Sequence, residues 1–343
     1  MIKIAIIGAT GYTGSELVRL LTHHPGVETV LITSETHQGK HFSDIHPQFK
    51  GICDIELQSA GKTEEYKPDL VFLALPHGVS MEYVKKWHDQ PFKIIDLSGD
   101  FRLSGPRVYS HWYHKDHSYP DGFKEAAFGL PELFREQIRN SRLIANPGCF
   151  PTGAILACYP LLKEDLVDPH RMIFDSKTGV TGAGVKPKEV THYPNVGDNF
   201  KPYGIKKHRH TIEIQETLAL SSDRDVTVQF TPHLLPVDRG ILTSLYAFPV
   251  KKLSQKHLED VYQKYYQHEF FIRLRQDAPQ IKHVRGTNYT DISVFYDKRT
   301  DTVMVFTALD NLVKGAAGQA IQNMNIMMGL EEKAALELIP MMP

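Results

Sequence analysis

The amino-acid sequence predicts an α/β protein with two domains, a doubly wound sheet and an inserted α+β domain with a mixed or antiparallel sheet. Three observations carry this prediction. The chain has 343 residues, about twice the roughly 150 of an ordinary domain. Short apolar runs alternate with helical patterns in the first third, whereas longer strands rich in Val and Thr follow after residue 170. A glycine-rich turn directly follows the first apolar run.

The first third alternates strand and helix patterns. Residues 2–7 (IKIAII) form a continuous apolar run, and residues 12–24 place Leu17, Leu20 and Leu21 on one helical face. Further strands are predicted at residues 27–33, 69–75, 93–97 and 142–145, with a helix around 79–87. This alternation predicts βαβ units and a parallel sheet covered on both faces.

The pattern changes in the second part. Strands are predicted at residues 226–231, 241–249, 292–296 and 302–308, and helices at 211–220 and 254–270. Residues 312–328 predict one amphipathic helix that we expect to fold back on the first domain. The expected domains are residues 1–148 with 312–343 for dinucleotide binding, and residues 149–311 for catalysis, substrate binding and oligomerisation.

Composition excludes several classes of protein. The 39 Lys and Arg residues nearly balance 40 Asp and Glu residues, so a basic nucleic-acid-binding surface is not expected. No apolar run approaches the roughly 20 residues that span a bilayer, and the N-terminus does not resemble a secretory signal. Cys53, Cys149 and Cys158 have no CxxC spacing, which favours free thiols in a reducing cytoplasm.

The 18 histidines raise the alternative of a metal site. Only His111, His114 and His117 have a regular spacing, and Pro120 and Gly122 beside them indicate a loop. The sequence contains no HExxH motif. We therefore expect no metal site.

A turn with three glycines follows the first predicted strand. Gly8, Gly11 and Gly14 have the spacing GxxGxxG, immediately before a predicted helix. Glycines let the backbone approach a pyrophosphate, and the helix start attracts the anion. This context predicts a Rossmann-like dinucleotide site, with a plain strand–helix turn as the alternative.

Spacing alone leaves the identity of the dinucleotide open. Glu35 lies about 20 residues after the last glycine, where an acidic residue favours NAD. Thr33 and Ser34 at the strand end, with His37 and Lys40 nearby, favour a 2′-phosphate instead.

Cys149 is predicted at the start of a helix. Residues 146–152 (NPGCFPT) follow a strand, and Pro151 is tolerated in a first helical turn. A helix N-terminus stabilises a thiolate, which beside a nicotinamide site predicts covalent catalysis at an acyl carbon. The alternative is a small buried residue at a turn, and burial is what we expect for Cys53 and Cys158.

A thiolate nucleophile needs a partner that moves protons. His208 and His210 lie in the segment KKHRH before a predicted helix, and spacing does not separate their roles. The alternative is a basic surface loop that holds an anion without catalysis.

Several segments together resemble the N-acetyl-γ-glutamyl-phosphate reductase family of arginine biosynthesis, a relative of aspartate-semialdehyde dehydrogenase. They are residues 8–14 (GATGYTG), 97–103 (LSGDFRL), 146–152 (NPGCFPT), 178–184 (TGVTGAG), 202–204 (PYG), 208–210 (HRH), 230–235 (FTPHLL) with 239–240 (RG), and 310–318 (DNLVKGAAG). The similarity covers essentially the whole chain and the two-domain plan. Ile212 departs from it, because the family usually has proline there.

The resemblance implies NADPH-dependent reduction of N-acetyl-L-glutamyl 5-phosphate to the 5-semialdehyde and phosphate through a cysteine thioester. It implies Cys149 as the nucleophile and His208 as the acid/base, with substrate contacts from Arg102, His210 and Tyr203. The implied contacts to NADP(H) are Gly8, Thr10, Gly11, Tyr12, Thr13, Gly14, Ser34 and Asn311. A small-molecule substrate and a homotetramer are also implied, with neither nucleic acid nor membrane as a partner.

Two alternatives stay open at this point. The first is an aspartate-semialdehyde or aminoadipyl-phosphate reductase that uses the same chemistry. The second is a non-catalytic NADP-sensing module. A thiol at a helix start, such as Cys149, argues against the second, because a sensor needs no activated nucleophile.

Overall fold

The structure is a computed structural model that describes residues 1–341. The chain divides into two compact units. The first contains Met1–Pro147 and Ala316–Glu337, and the second contains Gly148–Gly315 and the C-terminal segment from Leu338. Within the described residues, no helix combines the length and the apolar composition needed to cross a bilayer.

The first unit is built on a six-stranded parallel sheet. Its strands are β1 (Ile2–Ile7), β2 (Val27–Ile32), β3 (Leu70–Leu73), β4 (Lys93–Asp96), β5 (Ala126–Phe128) and β6 (Leu143–Ala145). They lie in the order β2-β1-β3-β4-β6-β5, so the strand order reverses between β1 and β3. In such sheets, ligands bind at the carboxyl ends of the strands beside this reversal.

Six helices belong to the part of the first unit before residue 148. They are α1 (Tyr12–Leu21), α2 (Phe42–Ile45), α3 (Ser80–Lys86), α4 (Pro106–Tyr113), α5 (Gly122–Glu125) and α6 (Pro131–Asn140), with 3-10 turns at Pro47–Phe49 and Ala60–Tyr66. Helix α1 buries Leu17, Leu20 and Leu21, as their spacing predicts. All four residues of β3 are buried, as a central parallel strand requires.

The second unit is built on a seven-stranded mixed sheet. Its strands are β7 (Val167–Thr178), β8 (Lys201–Pro202), β9 (Val228–Leu234), β10 (Ile241–Pro249), β11 (Ile272–Leu274), β12 (Thr290–Asp297) and β13 (Thr302–Leu309). Their order is β11-β12-β13-β10-β7-β9-β8. The pairs β7–β9 and β11–β12 are parallel and the others antiparallel. The predicted fold class, a parallel α/β sheet with a second mixed sheet, is confirmed.

Four helices accompany this sheet. They are α7 (Cys149–Lys163), α8 (Tyr193–Val196), α9 (His210–Ser222) and α10 (Gln255–Tyr266), with 3-10 turns at Val180–Ala183, Glu189–Thr191 and Ile281–His283. Helix α7 is buried along most of its length. A Cβ added at its Gly153 would lie 2.9 Å from Thr307 Oγ1 of β13, so the helix packs closely on the sheet.

The segment after β13 differs from its prediction. Instead of one amphipathic helix, it contains a π-helical turn (Val313–Ala317) and then α11 (Gly318–Met327), whose ten residues are all buried. The polar positions are amides that find partners inside the first unit. Gln319 and Asn323 both donate to the carbonyl of Gly129, and Asn323 also donates to Asn146 Oδ1. Because the NH2 groups of these amides find acceptors, the polar stripe does not mark a solvent-facing side here.

Two other elements also differ from the sequence prediction. Strand β7 was not predicted, because its first half contains Asp168, Pro169 and Arg171, which hide the strand pattern. The region of His111 was expected to be a loop, but α4 extends to Tyr113 and includes this histidine.

Candidate active site

The glycine turn after β1 is closely packed. Gly8 has φ +88, and a Cβ added there would lie 2.5 Å from the carbonyl oxygen of Ala74, which follows β3. A Cβ at Gly14 would overlap the carbonyl oxygen of Gly8. Gly11 precedes α1 and offers no side-chain cap, so the first amides of the helix stay available to an anion. This cradle at the β1–β3 reversal fits a pyrophosphate.

Hydroxyl groups connect this turn to the end of β2. Thr10 Oγ1 lies 3.1 Å from Ser34 Oγ, which lies 3.4 Å from Thr36 Oγ1. Glu35 has its carboxylate bound elsewhere, since Oε1 accepts a hydrogen bond of 3.0 Å from the amide of Ala60. The residue that reaches the glycine turn is thus an uncharged serine, while the acidic residue that would favour NAD is held by the 3-10 turn.

Cys149 is the first residue of α7, as the sequence predicts. Gly148 is the N-cap and provides no side-chain cap, so the positive end of the helix dipole lies near the thiol. Cys149 is half-buried, whereas Cys53 and Cys158 are buried. Burial raises the pKa of both these thiols, which are therefore unsuited to act as nucleophiles.

Two imidazoles lie close to the start of α7. The ring of Phe150 is 5.7 Å from that of His208 and 5.8 Å from that of His210. A Cβ added at Gly148 would lie 2.5 Å from His210 Nε2, so this imidazole packs directly on the residue before Cys149. The structure therefore brings both candidate histidines to the candidate nucleophile.

The two histidines have different surroundings. His208 is enclosed by the rings of Phe150, Tyr203 and Phe230. This burial, together with the charge of Arg209, lowers the pKa of His208 to about 4. Its Nδ1 accepts a hydrogen bond from the His210 amide at 3.2 Å. His208 is therefore neutral near pH 7 and is a poor proton donor there.

Glu213 joins this site from the next turn of α9. Its side chain is fully buried, and Oε1 accepts a 2.7 Å hydrogen bond from the Gly148 amide. Its Oε2 lies 4.0 Å from His210 Nε2. Sequence analysis gave Glu213 no role, although a carboxylate three residues after a histidine lies on the same helical face, a signal that was available.

The other predicted site residues have different places. Tyr203 lies at the second-unit site, and burial together with the charge of Cys149 raises the pKa of Tyr203. Asn311 is buried, accepts from the Gly240 amide at 2.8 Å and donates to Thr181 at 2.9 Å. Arg102 belongs to the first unit, where it is buried and donates to the carbonyl of Leu97.

The histidines considered for metal binding are dispersed. His111 is exposed on α4, and His114 ends that helix with φ +53. His117 is buried, with Nε2 at 2.9 Å from the Asp100 carbonyl and Nδ1 accepting from the Tyr119 amide. Residues 1–341 contain no group of three His, Cys, Asp or Glu side chains arranged to hold a metal ion.

Solved structures share this fold. Aspartate semialdehyde dehydrogenase II from Vibrio cholerae, complexed with ASA, aligns with a TM-score of 0.73 at 18% identity, covering 96% of this chain and 98% of that one. Aspartate semialdehyde dehydrogenase with NADP from Candida albicans aligns with a TM-score of 0.72 at 17% identity, covering 98% and 99%. Identities this low establish the fold only.

Sequence comparisons define the class and then the family. Residues 3–141 match the model "Semialdehyde dehydrogenase, NAD binding domain", and residues 149–311 match "Semialdehyde dehydrogenase, dimerisation domain". A glycine turn and a thiol at a helix start on these two folds define an enzyme of the semialdehyde dehydrogenase class. N-acetyl-gamma-glutamyl-phosphate reductases of Methanococcus maripaludis and Methanosphaera stadtmanae are 47% and 48% identical to this chain, covering all of it and 100% and 99% of their own lengths. The chain belongs to the N-acetyl-gamma-glutamyl-phosphate reductase family.

Proposed function

We propose that this enzyme reduces N-acetyl-L-glutamyl 5-phosphate to N-acetyl-L-glutamate 5-semialdehyde with release of phosphate. The observation that carries the proposal is Cys149, a half-buried thiol at the first residue of α7 with an imidazole packed on the preceding glycine. Full-length similarity to reductases named for this substrate supports the choice of acyl phosphate.

In the proposed mechanism, Cys149 is the nucleophile. The thiol proton passes to an imidazole, and the thiolate attacks the γ-acyl carbon. The C–O bond to phosphate breaks as the S–C bond forms, and the imidazolium returns its proton to the departing phosphate. A thioester on Cys149 remains. Amides of the first turn of α7 lie where they can stabilise an oxyanion at this carbon.

NADPH, when bound, supplies the hydride that brings the thioester carbon to the aldehyde level. The oxyanion then collapses, the C–S bond breaks, and Cys149 leaves as the thiolate. A proton taken up from solvent restores the thiol with which the cycle began. The cysteine thus holds the acyl group in one place through both halves of the reaction, which converts a second encounter into an intramolecular step.

We assign the acid/base role to His210, which exchanges the roles that the family resemblance gave to the two histidines. His210 packs on Gly148, the residue before Cys149, and its Nε2 lies 4.0 Å from the Glu213 carboxylate. His208 has a depressed pKa and accepts the His210 amide at Nδ1. In this proposal, His208 supports the site and Tyr203 borders the substrate.

The cofactor of this reaction is NADP(H). The cradle formed by Gly8 and Gly14 fits the pyrophosphate, with Thr10, Gly11, Tyr12 and Thr13 around it. Ser34 and Thr36 offer hydroxyl donors where a 2′-phosphate needs them, and Glu35 is bound to Ala60. We also propose that Arg102 binds the substrate and that Asn311 binds the cofactor.

The enzyme is further proposed to be a cytoplasmic homotetramer. One row across the outer face of the second sheet contains Ile173, Tyr246, Met304 and Phe295 from four neighbouring strands, all at least partly exposed. Such an apolar row is typical of an interface between copies. Tyr246→Asp, measured by size-exclusion chromatography with light scattering, should give a smaller assembly, and an unchanged mass would contradict this interface.

A direct test of the substrate uses three aldehydes. N-acetylglutamate semialdehyde, aspartate semialdehyde and an aldehyde one carbon longer are each assayed with phosphate and NADP+. We expect turnover of the first alone at an appreciable rate. Preference for aspartate semialdehyde or for the longer aldehyde would contradict the proposed substrate, and absence of turnover with all three would contradict the proposed reaction.

A further inference from the structure

Gly315 lies against Cys149. A Cβ added at Gly315 would lie 2.9 Å from the Cβ of Cys149 and 3.2 Å from its Cα. Both distances are shorter than the roughly 3.5–4.0 Å of a comfortable carbon–carbon contact. The Cα belongs to the backbone at the start of α7 and cannot rotate away. Position 315 therefore accepts only glycine while Cys149 keeps its place.

The backbone that carries Gly315 is fixed by Asp310. The Asp310 carbonyl accepts from the Gly315 amide at 2.9 Å. The carboxylate accepts from the amides of Leu312 and Gly286 at 2.8 and 2.7 Å, and Arg239 Nη1 lies 3.6 Å away. Because Asp310 is fully buried, water does not compete for these bonds. These buried hydrogen bonds therefore hold the turn in place.

The same turn has an unusual backbone. Gly315 is the middle residue of the π-helical turn Val313–Ala317. Single π turns depart from regular helical hydrogen bonding and are frequent at functional sites. This is a second observation, independent of the close contact, that points to a constraint on this segment.

The nucleophile is thus confined by contacts from two segments. Gly148 receives the His210 imidazole, at 2.5 Å from the place of a Cβ, and Cys149 receives the Gly315 backbone. At Gly315 the approach requires a glycine because the neighbour is the Cα and Cβ of Cys149, whereas a Cβ at Gly148 would displace the His210 imidazole. The place of the Cys149 Cα–Cβ bond relative to His210 therefore depends on both segments.

We propose that Gly315 is a positioning residue, which lets the turn anchored by Asp310 close on Cys149 and fix the direction of its Cα–Cβ bond. The inference rests on the proposed function, in which Cys149 is the nucleophile. Misplacing a reacting group by about 1 Å costs on the order of 100-fold in rate.

The test is Gly315→Ala, with two measurements. In the phosphate-dependent oxidation of N-acetylglutamate semialdehyde, we expect kcat to fall by about 100-fold, while KM for the aldehyde and for NADP+ stays within about twofold. The rate of Cys149 alkylation by iodoacetamide, followed against pH, should have its midpoint displaced upward, because the sulfur moves from the helix start and the imidazole.

The matched control is Gly153→Ala on the same helix. Its new Cβ would also press on a neighbour, Thr307 Oγ1 at 2.9 Å, but not on Cys149. It should lower the melting temperature and leave kcat and the alkylation profile unchanged. The proposal is overturned if folded Gly315→Ala keeps the wild-type kcat and profile, or if Gly153→Ala changes both equally.

If Gly315→Ala does not fold, the same two measurements on Asp310→Asn test the proposal. It loosens the turn without adding an atom beside Cys149, and we expect kcat to fall and the profile to move. An unchanged profile overturns the proposal. The alkylation measurement does not depend on turnover, so it judges positioning separately from the reaction, which Cys149→Ala tests.

Discussion

The candidate site of the first unit is built from backbone amides and hydroxyl groups, whereas that of the second unit is built from ionisable side chains. The glycine turn of the first unit offers backbone amides and hydroxyls, and Glu35, the carboxylate that follows Ser34, is bound to a backbone amide. The second unit gathers ionisable side chains at the start of α7, namely a thiol, an imidazole and a buried carboxylate. Substitutions in the second unit should therefore change the rate, and those in the first should change which dinucleotide binds.

The largest effect is expected from Cys149→Ala. Without the thiol no thioester forms, so phosphate-dependent turnover should fall to background while NADP+ binding, followed by calorimetry, persists. Cys158→Ala is the control, because this buried thiol lies on the same helix as Cys149 and contacts Met172 of β7. It should retain turnover. Activity above background in Cys149→Ala would contradict covalent catalysis in the second unit. The proposed difference between the two units would then no longer hold.

The next largest effect distinguishes the two histidines of the second unit. His210→Asn should lower kcat by about 100-fold, since general acid–base catalysis contributes on this order. His208→Asn should lower it by less than about tenfold, because His208 is already neutral at working pH. Steady-state kinetics from pH 6 to 9 measures both. If His208→Asn is the impaired variant instead, the acid/base role returns to His208.

In the first unit, Ser34→Asp should alter cofactor choice. A carboxylate facing Thr10 repels a 2′-phosphate and accepts from a ribose hydroxyl, so the preference for NADPH over NADH should fall by at least about tenfold. Glu35→Gln is the control, because Glu35 is bound to Ala60 and should leave the preference unchanged. The ratio of kcat/KM for the two cofactors measures this. A change caused by Glu35→Gln would contradict the assigned role of Ser34.

The smallest effect concerns stability in the first unit. Burial, and next the charge of Asp100, raise the pKa of Asp96 to about 7. The pKa of Asp96 is therefore higher in the folded protein than its value of about 4 in the unfolded chain. Protonated Asp96 contributes its full stabilisation below about pH 4, and this stabilisation is lost as the pH rises through 7. The free energy of unfolding should fall by about 1 kcal/mol between pH 6 and 8. Urea titrations should show this fall flattened in Asp96→Asn, and an equal fall would contradict the assignment.

Local patterns allowed the sequence to predict much of the first unit and the place of Cys149. Strand alternation, the glycine spacing and the NPGCFPT segment each act over a few residues, and the structure confirms the elements they predict. The open choice between NAD and NADP depended on where Glu35 points. Its partner, Ala60, lies in a separate turn that spacing does not reveal.

The features that sequence analysis missed depend on distant contacts. Gly315 and Cys149 are far apart in the chain, and only the folded backbone brings them together. Glu213 looks like an ordinary helical acid until the Gly148 amide is seen to bind it. The sequence pattern of α11 suggests that its amides face solvent, because no nearby residue indicates that the Gly129 carbonyl accepts hydrogen bonds from them.

Burial of α11 in the first unit has a consequence for synthesis on the ribosome. Helix α11 packs against α1, α6 and β4, all of which are translated long before it. A nascent chain that has emerged only to Pro147 therefore exposes the apolar surface that α11 later covers. Release of the last segment should coincide with acquisition of protease resistance, and a chaperone that shields the early chain would act until then.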